Sequence, residues 1–207
     1  MKRAAFLLLM SAAAAFSQTP GGGRLPKVLV IGDSISIGYT EPLKKILAGK
    51  YEISHNPENG GPTSNGIAHI DEWLAAGHWD VITFNFGLHD LKLDTGPHQV
   101  EIPQYQANLK TILAALHKTG AKLIWVTTTP VPTGHLNPKR ERPDVPLYND
   151  AAAHVIKGQV DAVCDLYTAV LPRESEMQQK ENVHFTPEGY EFLAGQVAAA
   201  IQSQLPR

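Results

Sequence analysis

Short apolar runs alternate along this chain with longer segments whose apolar residues recur every three or four positions. Lys27 to Ile31, Tyr51 to His55, Val81 to Phe86, Lys122 to Thr128 and Val160 to Leu166 read as strands. Between and after them, Glu41 to Leu47, Thr63 to Ala76, Pro103 to Thr119, Val145 to Lys157 and Pro187 to Gln204 carry helical spacing. The inward stripes are Ile67, Ile70, Trp73 and Leu74, then Leu109, Ile112, Leu113 and Leu116, then Phe192, Leu193, Val197 and Ile201. Gly77 and Gly120 stand where helices stop. Strands that alternate with helices predict parallel pairing through crossovers, hence α/β class: a five-stranded parallel sheet in a three-layer α/β/α sandwich. Two long irregular stretches, 88–102 and 130–145, each follow a strand and so fall at the carboxyl rim of the sheet. Loops of that length in a compact domain are usually functional.

The amino terminus departs from this pattern. Lys2 and Arg3 precede an apolar stretch from Ala4 to Phe16, too short to span a bilayer. Ala15-Phe16-Ser17 has the small-x-small form of a cleavage site. Residues 1–17 therefore read as a secretory signal peptide, 18–26 as a flexible mature start and 27–207 as one domain, exported to the periplasm or medium. No later segment predicts stable membrane insertion. Cleavage would leave 16 basic against 20 acidic residues, a net charge of −4. That balance argues against a nucleic-acid partner. Cys164 is the only cysteine, which excludes an intrachain disulfide and suits a buried packing residue.

Chemistry-bearing residues gather at the predicted rim. The first strand ends at Gly32-Asp33-Ser34, where a serine precedes a helix. Backbone N–H groups at such a turn can hold an anionic oxygen. A serine hydroxyl needs a base to become a nucleophile, and His184 lies in Glu181-Asn182-Val183-His184-Phe185-Thr186-Pro187, just before the last helix. Two further blocks share the rim: Asn59-Gly60-Gly61-Pro62-Thr63 after the second strand and Gly87-Leu88-His89-Asp90 after the third. Asp33 and Asp90 suit loop fixing, because aspartate bonds readily to nearby backbone N–H groups. The spacing of His89, Asp90 and His98 matches no metal-binding signature.

In block order and spacing, from Val28 to about Ile201, the chain resembles the SGNH hydrolases, also called GDSL-type esterases. The resemblance implies a flavodoxin-like fold and hydrolysis of small carboxylic esters without metal or cofactor. It makes Ser34 the nucleophile and His184 the general base. It puts Glu181 where the family has the aspartate that orients the histidine, with Asp165 as a competitor read as structural. It implies oxyanion donors at the Ser34 N–H and at Gly61, with Gly60 the alternative. Where the family has an asparagine in the third block, this chain has His89, whose neutral ring can donate one N–H or serve a structural role. The exported location favours a short acyl group, such as an O-acetyl on a carbohydrate, as the small-molecule partner. The altered third block and Glu181 motivate a different class: a non-catalytic module that binds a glycan or acylated sugar.

Overall fold

The computed structural model describes residues 24–93 and 96–205. The signal peptide predicted over 1–17, and the part of the mature start up to residue 23, lie outside the described residues. The five strands are β1 (Lys27–Ile31), β2 (Glu52–His55), β3 (Val81–Phe84), β4 (Lys122–Val126) and β5 (Ala162–Cys164). All pair in parallel, in the order β2-β1-β3-β4-β5. The central strands are apolar without alternation because helices cover both faces: β1 reads KVLVI, β3 VITF and β4 KLIWV, with nearly every residue buried. The edge strands β2 and β5, of four and three residues, are only partly buried.

Helix α1 (Ser34–Ile46) packs on α7 (Pro187–Gln204) on one face. On the other, α2 (Thr63–Ala75) packs on α3 (Ile102–His117), and α3 on α4 (Asp144–Ile156). The rest of the helical content is α5 (Leu166–Val170), a short 3-10 turn (Leu171–Arg173) and α6 (Glu174–Met177). The predicted three-layer α/β sandwich with five parallel strands is thus the observed architecture. The strand order reverses direction at β1, so the crevice beyond β1 and β3 is the switch point where such sheets bind ligands.

Several details differ from the sequence pattern. Helix α1 begins at Ser34 rather than Glu41, and Pro42 lies inside it. Its missing N–H leaves the Gly38 carbonyl without that helical donor. Ile67 is 37% exposed and does not share the buried stripe of Ile70 and Trp73. The strands β3, β4 and β5 end before the irregular residues that carry the rim loops.

The α1–α7 contact is unusually close. A Cβ on Gly38 would lie 2.1 Å from the Tyr190 ring, far inside van der Waals contact. Alanine at position 38 would gain about 1 kcal/mol in helix propensity, but the overlap, with cost of about 1–3 kcal/mol for overpacking, outweighs it. Gly38→Ala should therefore lower Tm in thermal unfolding, by several degrees for a chain of this size. An unchanged or raised Tm would show that the ring yields freely.

Candidate active site

The turn after β1 is stitched to the turn after β2. The Gly32 N–H donates to Asn56 Oδ1 at 3.0 Å, and the Gly60 N–H donates to the Gly32 carbonyl at 2.8 Å. A Cβ on Gly60 would sit 2.7 Å from that carbonyl oxygen, so the approach requires glycine. Asp33 is the buried N-cap of α1 and accepts from the Ile35 N–H at 2.9 Å. Burial pushes its carboxyl up from the ordinary value, against that N–H bond and the nearby Arg140, His184 and Lys92 charges. Ser34 then opens α1, where a backbone N–H has no partner within the helix. Behind it, Ser36 Oγ donates to the Asp33 carbonyl at 2.8 Å and lies 2.6 Å from His55 Nε2, a pairing the sequence did not suggest.

His184 is held by a tight turn before α7. Gln178 and Phe185 form a β-bridge, the Gln179 N–H donates to the His184 carbonyl at 2.9 Å, and Thr186 caps α7 by accepting from the Gly189 N–H at 3.1 Å. The turn presents Nε2 of His184 to Ser34 Oγ at 2.9 Å, across 150 residues of sequence. The other ring nitrogen, Nδ1, lies 2.8 Å from Asn182 Oδ1. Glu181 was expected in that place. Its backbone is left-handed, with φ at +51°, and its stem packs over Gly134, where a Cβ would meet Glu181 Cγ at 2.6 Å. Asp165 is also elsewhere, capping α5 by accepting from the Thr168 N–H at 3.1 Å and from Thr127 Oγ1 at 3.0 Å. The signal that could have revealed Asn182 is its spacing: an Asx side chain commonly reaches a group two residues on.

The expected oxyanion donors differ in what already occupies them. The Gly60 N–H is committed to Gly32, as above. The Gly61 N–H donates to Asn59 Oδ1 at 2.9 Å in an Asx turn, with Gly61 at φ +61°. His89 Nε2 is 3.8 Å from Asp33 Oδ2, too far for a hydrogen bond. Burial first, then the Lys92, Arg140 and His184 charges, push His89 down to about 4, so its ring is neutral at pH 7. Asn85 spends its amide on the Val126 carbonyl at 2.8 Å and on Thr128 Oγ1 at 3.2 Å. Ser34 and His184 open on a cleft of ≈ 500 Å³, walled by Asn59, His89, Lys92 and Arg140. The loop 130–143 closes its other side with His135 and Asn137.

Asp90 anchors the third block from below. It is fully buried and accepts from the Thr63 N–H at 2.9 Å and from the Thr63 hydroxyl, which also accepts from Asn108 Nδ2 at 2.9 Å. Among the described residues, its Oδ2 has no hydrogen-bond partner. His98 points away from this group, to Asp144 at 2.9 Å and Glu101 at 3.4 Å. Among the described residues, no three His, Cys, Asp or Glu side chains gather into a group that could hold a metal ion.

Five parallel strands in the order β2-β1-β3-β4-β5 between helical layers define a flavodoxin-like α/β/α sandwich, with a hydroxyl and an imidazole in contact at its switch point. The sequence comparison gives the family. Residues 30–192 match the GDSL-like lipase/acylhydrolase family, and the chain belongs to it, which makes it a hydrolase. Among solved structures, it is similar to a lipase/acylhydrolase from Enterococcus faecalis, with TM-score 0.74, 23% identity, and 87% of this chain and 97% of that one covered. It is also similar to the acetyl xylan esterase AlAXEase, with TM-score 0.73, 17% identity and coverage of 84% and 99%. An acetylxylan esterase from Geobacillus stearothermophilus gives TM-score 0.65 at 16% identity, with coverage of 88% and 94%. Comparison with curated proteins finds none that matches.

The Asp90 geometry predicts a pH effect on stability. Burial pushes its carboxyl up to about 6, against the Thr63 bonds that favour the anion. The folded state then holds a proton that the unfolded chain has released, so the contribution is complete below the unfolded value of about 4 and is lost as pH rises through about 6. Stability of the wild type relative to Asp90→Asn should fall over that window in denaturant titrations. A difference that is constant, or that grows with pH, would refute the shift.

Proposed function

We propose that this chain is a serine esterase that hydrolyses a small carboxylic ester through an acyl-enzyme on Ser34, with His184 as base. The observation that carries the reading is the 2.9 Å contact between Ser34 Oγ and His184 Nε2. In the proposed reaction, Nε2 takes the hydroxyl proton as Oγ bonds to the ester carbon. The carbonyl oxygen becomes an alkoxide that accepts from the Ser34 and Gly61 N–H groups, with the neutral His89 ring at the same rim as a third donor. Collapse breaks the bond to the alcohol oxygen, which receives the proton from Nε2. Water then attacks the acyl group by the same route, releasing the acid and restoring Ser34. Asp33 and Asp90 support this machinery by fixing the first and third blocks.

The cleft favours a hydrophilic alcohol over a lipid chain. Its walls are mostly polar or charged, with Leu136, Pro138 and Val183 the apolar exceptions. An O-acetyl group on a carbohydrate fits this lining, and two of the similar solved structures are of acetyl xylan esterases. The predicted leader would deliver the enzyme outside the cytoplasm, where such a polymer lies. Among the described residues, no helix is long and apolar enough to cross a membrane.

The contrary reading, a non-catalytic glycan-binding module, has the family against it and one observation for it, the Gly61 N–H occupied by Asn59. Fluorophosphonate labelling separates the two, since only an activated serine reacts. The esterase reading expects stoichiometric labelling and turnover of p-nitrophenyl acetate. Ser34→Ala should abolish both, and His184→Ala should slow turnover by about 10²–10⁴. Mutants as active as the wild type would end the proposal.

His89 is tested separately. With its pKa near 4, its charge does not change above about pH 5. If its ring donates to the oxyanion, His89→Ala should cost about 10²–10³ in kcat. His89→Asn should keep or raise the rate, and neither should alter the shape of the profile above that pH. Equal rates for all three proteins would remove His89 from the mechanism.

A further inference from the structure

Among the described residues, no carboxylate is bonded to the far nitrogen of the candidate base, and an amide occupies that position. Its orientation follows from the groups it meets. The His184 backbone N–H, which can only donate, lies 3.1 Å from one terminal atom of Asn182. That atom is therefore the oxygen, Oδ1. The same oxygen lies 2.8 Å from His184 Nδ1. An amide oxygen carries no proton, so the proton of this bond is on Nδ1. In a neutral imidazole the lone pair is then on Nε2, facing the Ser34 hydroxyl at 2.9 Å.

Asn182 is fixed in turn. Its Nδ2 donates to Gln179 Oε1 at 3.2 Å. Gln179 Nε2 donates to the Phe185 carbonyl at 3.1 Å, and that carbonyl can only accept. Four side-chain hydrogen bonds thus run in one direction, from the Ser34 hydroxyl through His184 and Asn182 to Gln179 and the backbone. Reversing any one of them would set two donors or two acceptors against each other.

We infer that Asn182 is the positioning residue that sets the reactive tautomer of His184, that Gln179 locks Asn182, and that the relay ends in neutral amides rather than in Glu181. This deepens the esterase reading and rests on it. When Nε2 takes the serine proton, the imidazolium keeps its Nδ1–H on an amide dipole instead of a counter-charge. The charged or titratable groups around the ring are then Asp33 from the N-cap of α1, His89 and Lys92 from the loop after β3, His135 and Arg140 from the loop after β4, and Glu181 from its own turn.

The test reads the ring directly as well as through turnover. In ¹⁵N NMR of the full chain, neutral His184 should show the proton on Nδ1. Asn182→Ala should give a mixture of tautomers and lower kcat by about ten- to a hundredfold, a part of the contribution of a general base. Asn182→Asp should restore the Nδ1–H and move the acid limb of the rate profile upward by about one pH unit, as a carboxylate beside the ring favours its charged form. Gln179→Ala should weaken the tautomer preference, and Glu181→Gln should leave it as in the wild type. A wild-type proton on Nε2, an Asn182→Ala protein with the wild-type tautomer, or loss of the preference in Glu181→Gln would each overturn the inference. Failure of the esterase reading looks different: no turnover and no labelling of Ser34, with the tautomer result still readable.

Discussion

The site depends on how closely two helices approach. Ser34 opens α1 and His184 immediately precedes α7, so their meeting is set by the packing of α1 on α7. At that contact the Tyr190 ring fills the space where Gly38 lacks a side chain. Gly38 is one helical turn past the serine, and Tyr190 follows the histidine by six residues. The tight seating of Tyr190 against Gly38 lies beside a hydrogen bond between side chains 150 residues apart. The sheet supplies the other half of the constraint. With β1 between β2 and β3, the loops after all three strands open on one crevice, and the Gly32–Gly60 bond pins two of them together.

The buried centre of the fold was legible because its physics is simple. Strands covered on both faces must be apolar throughout, and β1, β3 and β4 are. The misreadings arose where two local rules competed. Helical spacing is clear only from Glu41, beside a proline that a first turn tolerates, yet the helix starts seven residues earlier on an Asp33 cap. Ile67 has the spacing of a core residue, but the stripe is narrower than the spacing suggests. Helices α5 and α6, of five and four residues, are too short for a periodic pattern to declare itself.

The candidate site shows the same division. The serine and histidine could be picked out because each sits at the end of a regular element, and the structure brings them into contact. The partner of Nδ1 could not be picked out by residue type. Glu181 is the acid of the turn, and a carboxylate is the usual partner of a basic histidine. The reach of Asn182 to a group two residues on is a local signal, but the left-handed backbone at Glu181 is one that residue type does not announce at a non-glycine position. Asn59 was equally hidden, since only the fold shows that its oxygen reaches the Gly61 N–H.

That last contact bears on selectivity along the reaction coordinate. The Asn59 amide oxygen sits on the Gly61 N–H, so on the proposed reaction an incoming oxygen would compete for that donor. An ester carbonyl is a weaker acceptor than an amide, and it gains little by the exchange. An alkoxide forms a charge-assisted bond about twice as strong as a neutral one, and it wins. On the proposed reaction, Asn59 would then be a reversible stopper that gives way to the tetrahedral intermediate rather than to the intact ester. Such a device suppresses tight embrace of the ground state and keeps the interaction for the barrier top, where it accelerates turnover.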